Sequence, residues 1–467
     1  MIGGGSGGLS FAAGAAQMGA SVILIEHNKM GGDCLNTGCV PSKALIAAAK
    51  KGHEMAVAKY FGWKTSKTKP SVDFKKVMQH VRHVIQSIAP HDSVERFTAL
   101  GVEVIQDHAQ FFSPQIVETK DFFIRAKRFI IATGSQPFVP PIPGLKGLPY
   151  LTNETVFRLK ELPQHLVLIG GGPIGMELAQ AFRRLGSKVT VLEAFAALPK
   201  DDPEATTCLK EKLVEEGVSL HEHVSINHVK NPHGNFMMTY TQDKKVKKIQ
   251  ASHVLVATGR RPNTQKLSLE KAGIEVSERG EIIVDPTLKT TNPRVYAIGD
   301  CIGGYQFTHV AGYHASLAIG NSIFRRRSKV QTRAIPWVTY TDPELAHVGL
   351  SEPQLKKMKK PYKVLKMPFK ENDRALTDRQ VVGFIKVLVS PKGAIYGATI
   401  LGSHAGELIY PWVMAIQNKL KISAMVKSIA PYPTLSDLTK RVAGSYYTPK
   451  IFSDWMKRIV HFIMRLT

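Results

Sequence analysis

The chain has 467 residues, of which 43% are hydrophobic and 21% are charged, a globular composition that excludes a disordered or fibrous protein. At roughly 150 residues per domain, this length predicts about three domains. The 62 Lys and Arg residues outnumber the 37 Asp and Glu residues by 25, so the surface favours anionic partners such as phosphates, acidic lipids or nucleic acid.

The cysteine count and the amino-terminal sequence bear on the compartment. The chain has four cysteines, too few for a secreted disulfide scaffold. Its start, MIGGGSGG, lacks the basic region and apolar core of a signal peptide. The sequence contains no run of 18 apolar residues, so no transmembrane helix is predicted. We therefore expect a cytoplasmic protein.

A glycine-rich nucleotide motif occurs twice along the chain. Each copy has three glycines in the pattern GxGxxG and an acidic residue at the end of the next strand: Gly3, Gly5, Gly8 and Glu26 in the first copy, Gly170, Gly172, Gly175 and Glu193 in the second. In both copies the acidic residue stands 23 positions after the first glycine. One GxGxxG is weak evidence, but two copies with equal spacing predict two dinucleotide sites.

Each residue of the motif has a physical task. The first glycine allows a tight turn, the second lets the backbone approach a pyrophosphate, and the third lets helix and strand pack closely. The helix amino terminus then faces the phosphates, and the acidic residue accepts hydrogen bonds from the ribose. Only Met1 and Ile2 precede the first copy, whereas the run HLVLI precedes the second, so we expect further residues upstream of Met1.

Two further segments have similar sequences. RFIIATGSQP and HVLVATGRRP each read as a buried strand that ends in a Thr-Gly turn, at Gly134 and Gly259. Each turn closes one nucleotide fold. Residues 150–259 are therefore predicted to form one nucleotide domain, inserted into another that comprises residues 1–149 and 260–335. The alternating apolar runs of residues 336–467 predict a third, α+β domain.

The run GGDCLNTGCVPSK places Cys34 and Cys39 at the start of an alanine-rich helix. A helix amino terminus lowers the pKa of a thiol and makes a reactive thiolate available. In a cytosolic enzyme such a pair is catalytic or metal-binding more often than structural. Zinc requires further Cys or His ligands at short spacing, so we predict no metal site. The second copy has Asp201 in the place of Cys34, so only one copy carries redox chemistry.

These motifs resemble the class I pyridine nucleotide-disulfide oxidoreductases, the family of glutathione reductase, dihydrolipoamide dehydrogenase and mercuric reductase, over essentially the whole chain. The resemblance implies an α/β fold with two Rossmann-like dinucleotide-binding domains and a C-terminal α+β dimerisation domain. It implies FAD in the domain of residues 1–149 and 260–335, and NAD(P)H in that of residues 150–259. It further implies a homodimer built through residues 336–467.

The resemblance also assigns roles to single residues. Cys39 matches the thiol that makes the charge-transfer contact with the flavin, and Cys34 matches the interchange thiol that meets the substrate. Lys43 resembles the lysine beside the flavin, and Glu177 resembles its ion-pair partner. Further positions match the cofactor sites: Thr133, Gly134, Asp300 in VYAIGD and Ala311 in the stretch 308–311 for FAD, and Gly259 for the nicotinamide nucleotide.

The choice of nicotinamide nucleotide depends on Glu193. Its carboxylate favours the free ribose hydroxyl of NADH and repels the 2′-phosphate of NADPH. The next residues, AFAALPK, offer only Lys200 as a cation. The sequence favours NADH, with NADPH as the alternative.

The carboxyl-terminal motif departs from that of the glutathione and lipoamide enzymes. In IAPYPTLSD, Tyr432 and Asp437 stand where those enzymes have an acid/base His and Glu. Tyrosine, with a pKa of about 10 against about 6.5 for histidine, is a poor proton shuttle at neutral pH. Tyrosine here is similar to mercuric reductases, yet the cysteine pair that delivers metal in those enzymes is lacking after Cys301. The acceptor stays open among a metal ion, a quinone and a small disulfide. Dihydrolipoamide dehydrogenase and a membrane-surface redox sensor or scaffold are the alternative functions.

Residues 450–467 predict a basic amphipathic helix. Its apolar residues recur at helical spacing: Phe452, Trp455, Met456, Ile459, Val460 and Ile463. Such a helix either packs on the dimer or contacts anionic lipid at the inner face of the membrane. The other basic clusters are lysine and arginine runs without interleaved aromatic residues, so we predict no nucleic-acid partner.

Overall fold

The computed structural model describes residues 1–64 and 71–466. The chain forms two compact units, which we call the first unit (residues 1–197 and 216–330) and the second unit (residues 198–215 and 331–467). The domain boundaries predicted after residues 149, 259 and 335 stay predictions. Thr467, the last residue of the predicted tail, lies outside the described residues, as do residues 65–70 of the first predicted domain.

The α-helices of the described residues are α1 (Ser6–Gln17), α2 (Gly32–Asn36), α3 (Cys39–Val57), α4 (Phe74–Ile88), α5 (Val94–Ala99), α6 (Asn153–Val156), α7 (Pro173–Leu185), α8 (Pro203–Glu215), α9 (Thr308–Ser322), α10 (Glu352–Lys357), α11 (Asp373–Thr377), α12 (Ala405–Leu408), α13 (Tyr410–Gln417), α14 (Ile422–Lys427), α15 (Asp437–Gly444), α16 (Thr448–Ile451) and α17 (Asp454–Ile463). Among residues 1–64 and 71–466, no helix has both the length and the apolar character that a bilayer crossing requires.

The strands are β1 (Val22–Ile25), β2 (Val102–Ile105), β3 (Gln110–Ser113), β4 (Ile116–Glu118), β5 (Phe123–Arg125), β6 (Phe129–Ile131), β7 (Ser135–Pro137), β8 (His165–Ile169), β9 (Lys188–Leu192), β10 (Val218–His221), β11 (Ser225–Lys230), β12 (Phe236–Gln242), β13 (Lys245–Ala251), β14 (His253–Val256), β15 (Arg260–Pro262), β16 (Val295–Ala297), β17 (Pro336–Thr339), β18 (Glu344–Gly349), β19 (Lys363–Pro368), β20 (Phe384–Val389) and β21 (Ile395–Gly402).

Parallel sheets carry both copies of the nucleotide motif in the first unit. The second copy follows β8, in a sheet of order β10-β9-β8-β14 whose neighbouring strands are all parallel. Strands β8, β9 and β14 are buried along nearly their whole length, in keeping with their largely apolar sequences. The first copy follows Ile2, which bridges in parallel to Ile25 and Ile131 and so lies between the pairs β1-β2 and β6-β16.

The two Thr-Gly segments that echo one another in the sequence pair directly in the fold. β7 and β15 form an antiparallel ribbon in which Ser135 lies opposite Pro262 and Pro137 lies opposite Arg260. Both strands start at the residue after a Thr-Gly turn, so the two turns lie at opposite ends of one short ladder. This ladder places the Arg260 side chain within hydrogen-bonding distance of Ser135.

The second unit is built on a five-stranded antiparallel sheet of order β17-β18-β21-β20-β19. Helices α12, α13 and α15 pack against it and bury Trp412 completely. Helix α8 also belongs to this unit, and the buried Lys386 of β20 forms an ion pair of 2.8 Å with Asp202, just before α8. The predicted α/β fold class, with parallel sheets that carry the two glycine motifs and a C-terminal α+β domain, is confirmed.

Candidate active site

The first and third glycines of each copy are fixed by close backbone packing. Gly3 and Gly170 have φ values of +105° and +113°, which favour glycine. A Cβ on Gly8 would lie 1.9 Å from the Gly3 carbonyl oxygen, and a Cβ on Gly175 would lie 2.1 Å from that of Gly170. Any larger residue at the third position would therefore push the helix away from the strand turn.

The second glycine of each copy faces open space instead. The nearest atom to a Cβ on Gly5 would be Gly32 Cα at 3.8 Å, and a Cβ on Gly172 would have no neighbour within 4 Å among the described residues. Helices α1 and α7 begin at the next residue, so their free N–H groups face the same space. This cradle fits a pyrophosphate in both copies.

The acidic residue of each copy is held by the glycine turn. Glu26, which is 7% exposed, accepts hydrogen bonds from the N–H groups of Gly4 at 2.6 Å and Asn28 at 2.7 Å. Glu193 repeats this arrangement with the N–H groups of Gly171 at 2.5 Å and Phe195 at 2.8 Å. Each carboxylate keeps further acceptor sites that a ribose hydroxyl would use.

The redox cysteines lie on two consecutive helices, Cys34 within α2 and Cys39 at the first position of α3. Both are free thiols, and the Cys39 sulfur lies 3.5 Å from the Thr308 hydroxyl. Hydrogen bonds from Cys34 and Thr308, together with the Lys43 charge, lower the pKa of Cys39 to about 6. The hydrogen bond to Cys39, and burial, raise the pKa of Cys34. These opposite shifts favour Cys39 over Cys34 as the thiolate of the pair.

Lys43 is held by the predicted ion pair. Its Nζ lies 2.8 Å from Glu177 Oε2, which joins α3 to α7. The Glu177 side chain is 6% exposed and that of Lys43 is 37% exposed, so the carboxylate is the buried partner. An ammonium group placed one helical turn after Cys39 stabilises negative charge on that thiol.

The predicted FAD residues around Asp300 meet in the first unit. Asp300 Oδ2 accepts a hydrogen bond of 2.6 Å from the Ser135 hydroxyl, and burial raises the pKa of Asp300. Ala311 packs against the backbone near Gly299. The Thr133 hydroxyl is buried without a hydrogen-bond partner among the described residues, which fits a polar cofactor group at this turn. Gly134 lies between β6 and β7, Gly259 lies between β14 and β15, and both have positive φ.

Two cysteines lie outside this site. Cys301 is fully buried, and burial raises the pKa of its thiol to about 12. Burial also raises the pKa of Cys208, on α8. Neither thiol has the lowered pKa of Cys39, as expected for packed residues.

Tyr432 and Asp437 lie in the second unit, and the structure adds a residue that sequence reasoning missed. The Tyr432 side chain is 75% exposed, and its hydroxyl donates a hydrogen bond of 2.9 Å to Asp373, the first residue of α11. This bond raises the pKa of Tyr432, and the nearby charge of Asp437 acts in the same direction. Because Asp373 lies 59 positions before the tyrosine, the local motif gave no signal for it.

Comparison with known families shows the family to which the chain is related. Residues 1–315 match the family described as pyridine nucleotide-disulphide oxidoreductase, and residues 335–443 match the dimerisation domain of that family. The chain belongs to this family. The family is FAD-dependent and uses a pyridine nucleotide, in agreement with the two cradles described above.

The relatives cover most of the chain. Mercuric reductase from Bacillus cereus is 36% identical over 438 residues, 93% of this chain and 69% of that protein. Dihydrolipoyl dehydrogenase from Thermus scotoductus is 35% identical and covers 94% of both chains. Among solved structures, the Cu(II) complex of the HOCl-induced flavoprotein disulfide reductase RclA from Escherichia coli is 28% identical, with a TM-score of 0.85 over 94% of this chain and 98% of that chain. LpdA from Mycobacterium tuberculosis is 26% identical, with a TM-score of 0.87 over 95% and 98%.

Proposed function

We propose that this disulfide oxidoreductase is a homodimer that takes electrons from NADH and passes them through FAD and the Cys34–Cys39 pair to a small acceptor. The observation that carries the proposal is the Cys39 thiolate beside the Lys43–Glu177 ion pair, in the unit that also holds both nucleotide cradles. FAD, when bound, would link two-electron nicotinamide chemistry to the disulfide.

Each residue of this site has a separate role in the proposed reaction. Lys43 holds negative charge on Cys39 after the disulfide has opened. Cys34, the thiol with the raised pKa, is the group that we assign to the acceptor. Reoxidation reverses the opening of the disulfide: the Cys34 thiol and the Cys39 thiolate together give one proton and two electrons to the acceptor, and the S–S bond forms again.

Support for NADH comes from Glu193. Two backbone N–H groups fix its carboxylate where it would meet the adenosine ribose. A 2′-phosphate would lie against this negative charge. Steady-state kinetics should give a higher kcat/KM for NADH than for NADPH, and the opposite order would overturn this assignment.

The acceptor proposal rests on Tyr432. Its hydrogen bond to Asp373 raises the pKa of a hydroxyl that is already protonated at neutral pH, so it donates a proton but does not shuttle one. This favours a metal ion or a quinone over lipoamide and other disulfides. The names of a mercuric reductase and of a Cu(II) complex among the similar proteins also support a metal-ion acceptor.

Anaerobic NADH titration of the purified holoenzyme, followed by an acceptor screen, tests the proposal. The wild-type protein should consume about two equivalents of NADH per subunit, one for the flavin and one for the disulfide, and Cys39→Ser about one. Cys208→Ser is the matched control and should behave as the wild type. If NADH leaves the flavin oxidised, the proposed function is wrong. Rapid reduction of lipoamide would contradict the role assigned to Tyr432.

A second role is favoured by the surface of the tail. On α17 and beside it, large apolar side chains are exposed: Phe452 68%, Trp455 67%, Phe462 64%, Ile463 52% and Met464 71%. The same segment carries four cations and one acid: Lys450, Lys457, Arg458, Arg465 and Asp454. We propose that this helix binds an anionic lipid surface, because aromatic and basic residues together suit the bilayer interface.

Co-sedimentation with vesicles tests the lipid proposal. Binding should require anionic lipid, weaken in high salt, and be lost on deletion of residues 450–467 or in the double variant Trp455→Ser, Phe462→Ser. Binding that survives the deletion would overturn the proposal. Loss of the dimer in gel filtration of the double variant would assign the helix to subunit packing instead.

A further inference from the structure

A carboxylate beside the redox pair is held by three polar partners. Asp33 directly precedes Cys34, and its Oδ1 accepts hydrogen bonds from the Thr37 hydroxyl at 2.6 Å and the Asn153 amide at 3.0 Å. Its Oδ2 lies 3.1 Å from the guanidinium of Arg260. Because Thr37 lies between the two cysteines, the Asp33 carboxylate fixes the loop that joins them.

The same carboxylate lies against the backbone that leads to Cys39. A Cβ on Gly38 would lie 3.1 Å from Asp33 Oδ2, so the approach is close enough to favour glycine there. The negative charge of Asp33 therefore acts on Cys39 and raises its pKa, against the lowering by Cys34, Thr308 and Lys43. A charge of this sign opposes the thiolate that the proposed function needs.

Arg260 supplies the counter-charge and is itself fixed. It is the first residue of β15, and its side chain is 13% exposed. Its Nε donates to the Ser135 hydroxyl at 2.7 Å, and its Nη2 donates to the Ser135 carbonyl at 2.9 Å. The Ser135 hydroxyl in turn donates to Asp300. The guanidinium thus stands between the carboxylates of Asp33 and Asp300.

We propose that Arg260 is a positioning residue for the redox pair, which holds Asp33 against the Cys34–Cys39 loop and neutralises the charge that Asp33 would otherwise direct at the Cys39 thiolate. The inference rests on the proposed redox role of the two cysteines. On reduction, the disulfide takes two electrons and one proton, its S–S bond breaks, and the Cys34 thiol and the Cys39 thiolate form. The reduced state therefore gains a negative charge near Asp33, and the oxidised state does not.

The other groups that face Cys39 stay constant in the test. They are Cys34 on α2, Lys43 on α3 with its partner Glu177 on α7, and Thr308 on α9. Arg260→Gln leaves Asp33 without its counter-charge and should make reduction less favourable. Asp33→Asn removes the negative charge, keeps an oxygen that accepts from Thr37, and should make reduction more favourable. The double variant should lie near the wild type.

The experiment equilibrates each holoenzyme with dithiothreitol redox buffers, traps free thiols with a maleimide and counts them by mass spectrometry. Arg260→Gln should lower the equilibrium constant for reduction by about tenfold, which is about 30 mV for a two-electron couple, and Asp33→Asn should raise it by a similar factor. Arg260→Lys, which keeps the charge, should recover most of the loss. Arg261→Gln, at the exposed neighbouring position, is the matched control and should leave the equilibrium constant unchanged.

The opposite shifts expected for Arg260→Gln and Asp33→Asn in the equilibrium constant for reduction distinguish this role from simple damage to the fold. Two single variants that shift the potential in the same direction, or an Arg260→Lys variant as impaired as Arg260→Gln, would overturn the inference. An unmoved potential in both variants would overturn it as well. A wild-type protein with no reversible dithiol–disulfide transition would instead overturn the proposed function itself.

Discussion

The two copies of the nucleotide motif agree closely in geometry and differ in chemistry. In both, the first glycine has a similar positive φ, the third packs on the carbonyl of the first, and the acid accepts from two backbone N–H groups. Only the first copy is followed by a cysteine pair. At the position that corresponds to Cys34, the second copy has Asp201, which accepts a hydrogen bond from Trp337 and whose pKa burial raises to about 6. In the proposed function, nucleotide binding therefore depends on the repeated turn, and redox chemistry depends on the segment after it.

Substitution of Cys39, a thiol that the second copy lacks, should have the largest effect of the variants proposed here. Cys39→Ser should lower NADH-dependent turnover roughly a thousandfold or more, because the disulfide can no longer form. Turnover with the acceptor found in the screen is the measurement. Cys208→Ser should retain wild-type turnover, since that thiol lies on α8 of the second unit. A Cys39→Ser enzyme with near-normal turnover would show that electrons leave from the flavin directly.

The third glycines allow each copy to be disabled alone. Gly8→Ala places a Cβ 1.9 Å from the Gly3 carbonyl oxygen and should reduce bound FAD by about tenfold or more, measured as flavin absorbance per subunit. Gly175→Ala makes the equivalent clash with Gly170 and should keep FAD while the KM for NADH rises about tenfold.

The control for both is Gly52→Ala in α3, where a Cβ would meet no described atom within 4 Å other than its chain neighbours and the backbone of its own helix. It should keep both cofactor properties and not lower stability, because alanine favours a helix interior. If Gly8→Ala retained FAD and raised the KM for NADH instead, the assignment of the two copies to their nucleotides would be reversed.

The sequence could predict what is local. Fixed spacing revealed both glycine turns, their acids and the cysteine pair, because each is encoded within about 25 consecutive positions. The ribbon of β7 with β15, the Arg260–Asp33 ion pair and the Tyr432–Asp373 hydrogen bond each join distant parts of the chain. No periodicity or spacing encodes such contacts, so they needed the fold. Lys43 and Glu177 are also distant, and only the family resemblance connected them.

The second copy has no thiol that corresponds to Cys39, so the pH dependence of Cys39 alkylation is a further test of the difference between the copies. Because the pKa of Cys39 is lowered to about 6, iodoacetamide should alkylate this thiol in the reduced enzyme at pH 7 and lose reactivity as the pH falls through 6. Lys43→Met removes a favourable charge and should decrease the thiolate fraction at pH 6 by about tenfold. Quenched labelling with peptide mass spectrometry measures both effects. A midpoint near the ordinary value of a free thiol would contradict the assigned network.

The two acids should give the smallest effects, because backbone N–H groups remain to hold a neutral amide in either position. Glu193→Gln removes the charge that would repel a 2′-phosphate, so the preference for NADH over NADPH should fall by about three- to tenfold while FAD content stays constant. Glu26→Gln should leave that preference unchanged and weaken only FAD retention, measured by dilution and ultrafiltration. The hydrogen bonds around the two acids match closely. A change in nucleotide preference in both variants would therefore mean that a substitution at one turn affects the other nucleotide site. A change in neither variant would mean that the ribose contacts lie elsewhere.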